Sequence, residues 1–247
     1  MFVPLEHLLF GVLAVASAPS VEPELQKAVV QIGGRCSGTL VAGDGVLTSA
    51  HCLTAPVGEI FVGGVAFPVQ RCYRDAAYRP GLPAHDLGYC RLARVSPGAI
   101  PIDDGPPPAV GAPVRLAGYG SSNPLARDCP ALRTIVASVV GVRPGRMEVG
   151  SATATACRGD SGGPMLVDRG GALRVAGVIQ GAEGAICASP TEVVPLSTER
   201  DWLASQMAAP PHSLSRWWAL HGMQLLIGWL LVNAAFVALV WWRRARR

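Results

Sequence analysis

An all-β body is expected between Val29 and Arg200. Short segments rich in β-branched and apolar residues recur there, punctuated by Gly, Pro and Asp. They include Ala28–Ile32, Gly38–Ala42, Gly45–Ser49, Glu59–Val65, Val114–Ala117, Thr134–Val140 and Leu173–Ile179. This spacing points to a sandwich or barrel rather than alternating βα units, and no repeat of fixed period is evident. Gly105-Pro106-Pro107-Pro108 has the composition of a stiff linker and splits the body into two halves near 105–111. Glu199 to Ala208 reads as a short terminal helix, and Pro210-Pro211 opens a stalk over 208–216.

The ends of the chain differ from this body. Half of the 247 residues are apolar, and the mean hydropathy of +0.33 is high for a soluble protein. An apolar run from Leu8 to Val15 precedes Ala16-Ser17-Ala18, the small-x-small pattern of a secretory cleavage site. Residues 1–18 are expected to be a signal peptide, with Ser20 as an alternative cleavage site and an uncleaved anchor as the alternative reading. No Asp, Glu, Lys or Arg falls within residues 217–242. As a helix that stretch spans about 39 Å, against ~30 Å of hydrocarbon. Trp217 and Trp218 flank one end, and Trp241 and Trp242 the other, so a single transmembrane helix is expected. Arg243, Arg244, Arg246 and Arg247 form a basic tail over 243–247, expected to stay cytoplasmic and leave the body outside.

Those four arginines equal the formal net charge of +4, so the remainder is near neutral and gives no basic face for nucleic acid. Lys27 is the only lysine, and Ala, Gly and Pro abound. The bias reads as GC-rich coding, so a bacterial source is expected, with the body in the periplasm and the anchor in the inner membrane.

Three short motifs carry chemistry. Cys157-Arg158-Gly159-Asp160-Ser161-Gly162-Gly163-Pro164 places a serine in a glycine-rich turn. Upstream, Thr48-Ser49-Ala50-His51-Cys52 offers a base, and His85-Asp86-Leu87 a carboxylate. A serine hydroxyl is a weak nucleophile unless an imidazole takes its proton, and the imidazolium formed needs a buried anion. Asp86 is preferred over Asp75, Asp103 and Asp104 because of its apolar strand context, and His85 is read as a solvated neighbour. Gly159–Gly163 also fits G-x-S-x-G, the elbow of α/β-hydrolases, but that fold needs its histidine after the serine. The only later histidines, His212 and His221, lie in the stalk and the expected span.

The order His51, Asp86, Ser161 resembles the trypsin/chymotrypsin-like serine proteases. Cys36-Ser37-Gly38-Thr39-Leu40-Val41 with Val46–Cys52, then Asp86-Leu87-Gly88-Tyr89, Gly118-Tyr119-Gly120 and the serine motif are the matching blocks. The resemblance implies two six-stranded antiparallel β-barrels within a protease domain over 19–207, with His51 and Asp86 before the linker and Ser161 after it. It further implies a serine endopeptidase acting on protein or peptide through an acyl-enzyme. In that role His51 is general base then acid, Asp86 its orienter and Ser161 the nucleophile. The N–H groups of Gly159 and Ser161 would form the oxyanion hole. No cofactor is implied. The rival reading is a catalytically inactive binding or adhesion module on the same fold.

The family pattern implies disulfides Cys36–Cys52 and Cys157–Cys187, each worth about 3–4 kcal/mol on loop-length grounds. Cys72 and Cys90 lie in segments expected to pair as neighbouring strands, which suggests a third bridge and leaves Cys129 over. A metal site is not expected, because no Cys-x-x-Cys or close Cys/His cluster occurs. The specificity pocket is expected to involve Thr155, Ala156, Arg158, Gln180, Gly181 and Glu192. Thr155 gives it a neutral base suited to small or medium uncharged side chains, while Glu192 near the back wall would attract a basic one. Arg158 would favour acidic groups near the oxyanion hole or stand solvated. Two departures from the family stand out. No Ile-Val-Gly-Gly segment is present to supply an ammonium to Asp160, so another cation is expected to neutralise it. Val178-Ile179-Gln180-Gly181 also lacks the usual serine that donates to the catalytic carboxylate.

Overall fold

The computed structural model describes residues 22–82, 84–121, 131–151, 155–181, 187, 190–208, 229, 233 and 242. The expected signal peptide, Cys129, the stalk and basic tail, and nearly all of the expected span 217–242 lie outside them. No helix of the described residues is long and apolar enough to cross a membrane.

A short helix α1 (Pro23–Ala28) leads into strands β1 (Val29–Ile32), β2 (Cys36–Ala42), β3 (Gly45–Thr48), β4 (Glu59–Val62), β5 (Val65–Arg74) and β6 (Gly88–Leu92). These close in the order β1-β2-β3-β6-β5-β4. After the linker come β7 (Pro113–Gly118), β8 (Arg133–Arg143), β9 (Arg146–Gly150), β10 (Pro164–Arg169), β11 (Ala172–Gly181) and β12 (Thr191–Pro195). They close as β10-β11-β12-β9-β8-β7, and helix α2 (Arg200–Ala208) follows. All the ladders are antiparallel, so the architecture is two six-stranded barrels with a short C-terminal helix.

Two expected elements are drawn differently by the structure. Glu59–Val65 is not one strand. Gly63 and Gly64, at φ +55 and +81, turn the chain between β4 and β5, because paired glycines accept the left-handed conformations of a tight hairpin. Ala28 closes α1 instead of opening β1: Pro23 starts the helix, and Leu25 and Ala28 point into the core.

Each barrel fills its own interior. Val30, Ile32, Leu40, Val46, Ile60 and Leu92 pack the first, and Leu116, Val139, Met147, Met165, Ile179 and Val193 the second. A third cluster sits between the barrels, where Val41, Leu47, Leu87 and Tyr89 meet Ala117, Leu166, Val178 and Val194, closed by Leu25 and Leu203.

The linker is pinned as it crosses. Ile102 bridges to Val175, and Arg169 donates from Nε and Nη2 to the two oxygens of Asp103. That guanidinium holds the Asp103 carboxyl below its usual range. The sign follows: the pair stabilises the fold above the carboxyl's unfolded value, and the contribution is lost as pH falls through the folded one.

Candidate active site

Three disulfides join Cys36 to Cys52, Cys72 to Cys90 and Cys157 to Cys187. Cys72 and Cys90 are direct cross-strand partners on β5 and β6. The first bridge staples the turn Ala50–Leu53 to β2, so His51 is held on a short 3-10 turn at the end of β3. Ser49 anchors the same turn to the other barrel by donating to Ile179 O at 2.9 Å.

Asp86 is buried, at 1% exposure. Its Oδ2 lies 2.6 Å from His51 Nδ1, and its Oδ1 accepts the His51 backbone N–H at 2.9 Å. Both oxygens thus fix one residue, which orients the ring and leaves Nε2 as the nitrogen not held by Asp86. The imidazole is a third exposed and faces a cleft of about 460 Å³ shared with Cys36, Cys52, Arg158, Gly159 and Ser161. At rest the Ser161 hydroxyl donates to Gln180 O at 3.0 Å.

The serine loop is shaped by close approach to the first barrel. Gly162 sits at φ +85, and a Cβ there would strike Ser37 O and Thr48 Oγ1. Gly159 is also left-handed, at φ +101. The Arg158 carbonyl accepts from Ser121 N at 2.9 Å, and the Asp160 carbonyl from Gly163 N at 2.9 Å. In a trans peptide the C=O and N–H point opposite ways. The N–H groups of Gly159 and Ser161 are therefore turned away from those partners.

Asp160 shapes this loop from beneath. It is buried and receives N–H donors from Gly120 at 2.8 Å and Cys157 at 2.8 Å. Arg133 Nη2 lies 3.3 Å from its Oδ2 and is its ion-pair partner among the described residues, while Arg133 Nε donates to Gly120 O. Burial pushes the Asp160 carboxyl above its ordinary value, and the two N–H donors and the guanidinium pull it back. Gly118 and Gly120 have a physical reason here: a Cβ on either would run into the Asp160 carboxylate.

Several residues had no individual role in the sequence reading. Arg133 is one. Ser37, fully buried, is another: its hydroxyl donates to Gly159 O at 2.7 Å and accepts from Tyr119 N at 2.9 Å, tying β2 to both loops of the second barrel. Ser37→Ala leaves both partners unpaired and should cost about 1–3 kcal/mol. Urea denaturation at neutral pH measures it, and an unchanged midpoint would remove the strut from the account. The third is Thr191, whose hydroxyl accepts from Ala156 N at 3.3 Å beside Thr155.

Glu192 is corrected by its neighbour. Successive strand residues face opposite ways, so with Thr191 turned toward Ala156 the Glu192 side chain faces away. There it meets Arg146 at 2.5 Å. A Cβ on Gly181 would touch Ser161 Oγ at 3.8 Å, and the Thr155 hydroxyl donates to Ala156 O at 3.4 Å. Arg158 is exposed beside the cleft. His85 is not simply solvated: it pairs with Glu199 at 3.1 Å and lies 3.8 Å from Asp75. The Gln180 carbonyl receives the Ser161 hydroxyl, and the Gln180 Oε1 is buried without a hydrogen-bond partner among the described residues.

The family model named Trypsin matches residues 20–203. The chain belongs to the trypsin family of serine proteases. Among curated proteins it is similar to human Serine protease 56, 27% identical over 234 residues and covering 78% of this chain and 38% of that protein. The mouse counterpart is 28% identical over 222 residues, with 74% and 36% covered. The chain thus spans less than two fifths of the length of these relatives. Among solved structures it resembles neuropsin, a serine protease expressed in the limbic system of mouse brain. That likeness has a TM-score of 0.65 at 20% identity, covering 76% of this chain and 97% of that one, and it speaks for the fold.

Proposed function

We propose that this trypsin-family chain is an active endopeptidase that cleaves protein or peptide substrates through an acyl-enzyme. The observation that carries the reading is the coincidence, on one cleft, of an Asp86-oriented imidazole, the Ser161 hydroxyl and two backbone N–H groups freed by their own carbonyl partners. Substrate binding moves the Ser161 hydroxyl from Gln180 O to His51 Nε2. As Oγ attacks the scissile carbonyl, Nε2 takes the proton and Asp86 stabilises the imidazolium. The developing oxyanion accepts from Gly159 and Ser161 N–H, each such donor being worth about 3–4 kcal/mol in the transition state. His51 then protonates the leaving amine, and water repeats the sequence in reverse.

Thr191 accepts from Ala156 N next to Thr155, and Glu192 is engaged by Arg146. Both favour small or medium uncharged side chains before the scissile bond. Profiling cleavage of a peptide library by mass spectrometry tests the function and the preference together. Cuts after neutral residues are expected; cuts after Arg or Lys would overturn the pocket reading, and folded protein that cuts nothing would overturn the enzyme.

We also propose that residues 217–242 anchor this protease, with the catalytic body outside and the arginine tail in the cytoplasm. Trp229, Asn233 and Trp242 are helical, and Asn233 donates its amide to Trp229 O at 2.7 Å, which lowers its cost in lipid. The lack of charge across the stretch and the flanking tryptophans support the same reading. The bacterial inner membrane is the setting that the coding bias favours. Alkaline carbonate washing should leave the full chain in the membrane pellet, and release into the supernatant would remove the anchor.

A further inference from the structure

Outside the cleft, three donor side chains that are distant in sequence meet at one point. Asp75 follows β5, His85 lies in the loop before β6, and Glu199 immediately precedes α2. Their ligand atoms all fall within 4.8 Å of one another. We propose that Asp75, His85 and Glu199 form a binding site for a single divalent cation of the zinc class.

The spacing supports a tetrahedral ion. Zinc takes nitrogen and oxygen at about 2.0–2.2 Å, so two ligands on a tetrahedron sit roughly 3.3–3.6 Å apart. His85 Nδ1 lies 3.1 Å from Glu199 Oε1 and 3.8 Å from Asp75 Oδ2, bracketing that value before any ion is present. The Asp75 carboxylate is already oriented, because its other oxygen accepts the Ala77 N–H at 2.8 Å. Fixing a ligand by a second hydrogen bond is how metal sites hold their geometry. The backbones are tied as well: Asp75 N donates to Leu87 O, and Leu87 N to His85 O.

Charge and access point the same way. Asp75 and Glu199 are 9% and 5% exposed, so two carboxylates are withdrawn from water. One imidazole, at most singly positive, leaves a net negative charge when both are ionised, which a divalent ion would offset. The His85 side chain is 45% exposed, which leaves an entry path and a fourth position for water. One imidazole with two carboxylates suits zinc better than calcium, which needs six to eight oxygens. The set has no thiolate to select softer ions. A bound ion would join the start of α2 to the loop that carries Asp86, independently of whether the cleft is catalytic.

The test is calorimetric titration of the full chain with Zn²⁺, alongside the visible spectrum of its Co²⁺ form. One ion per chain and a tetrahedral Co²⁺ spectrum are expected. Glu199→Gln and His85→Gln should each weaken binding by more than about 100-fold, beyond the loss of a supporting hydrogen bond. If Glu199→Gln fails to fold by circular dichroism, His85→Gln at its half-exposed position carries the comparison. No binding by the wild type, or wild-type affinity in His85→Gln, overturns the site. So does binding abolished by His51→Ala but kept in His85→Gln, which places the ion at the cleft.

Discussion

Ser161→Ala and His51→Ala should each lower turnover by about 10⁶-fold, and the double variant should lose little more, because the two groups act as one unit. Asp86→Asn should leave the fold intact and still cost roughly 10⁴-fold, since an amide holds the ring in the wrong tautomer. The reason is local: Asp86 Oδ2 and Oδ1 both serve His51, so the asparagine must present N–H to one donor that needs an acceptor. Steady-state kinetics on a peptide that the wild type cleaves measures all three. Additive losses for Ser161 and His51 would mean that they do not share one proton transfer.

Arg133→Met is the second large effect. Asp160 is buried, and this guanidinium is its ion-pair partner among the described residues. Removing the partner leaves a buried charge held by N–H groups alone, at a cost on the order of 2–3 kcal/mol. Asp160 lies between Gly159 and Ser161, so on the proposed mechanism the loop relaxes where the oxyanion would bind. Losing one oxyanion donor costs about 10²–10³ in turnover, and kcat should fall by that factor with KM changing less. The pH sign is fixed by the charge. The variant's stability deficit exists only where Asp160 is ionised, so it should grow as pH rises through the carboxyl's folded value and shrink in acid. Denaturation midpoints of wild type and variant, compared at pH 4 and pH 8, check this. A deficit equal at both would mean that Arg133 acts by packing.

That pair also marks how far the sequence reached. The motifs around His51, Asp86 and Ser161 are contiguous, and contiguous chemistry is readable. The need for a cation at Asp160 was legible from a missing segment, but its identity was not. Arg133 sits on another strand, and only barrel closure brings it near. Ser37 and Thr191 escaped notice for the same reason: each is one hydroxyl whose partner is far along the chain. In the fold, strands such as β2, β3 and β7 were visible, whereas β12, buried along its whole length, shows no two-residue period. Glu192 misled because a linear count does not say which way a strand side chain faces. His85 misled because its partners, Asp75 and Glu199, lie on separate elements.

The most direct measurement is reaction of the folded protein with a fluorophosphonate, followed by peptide mapping. One adduct on Ser161 is expected, absent from Ser161→Ala and strongly reduced in His51→Ala. Folded wild-type protein that takes up no reagent would contradict the account and point to a binding module built on a protease fold.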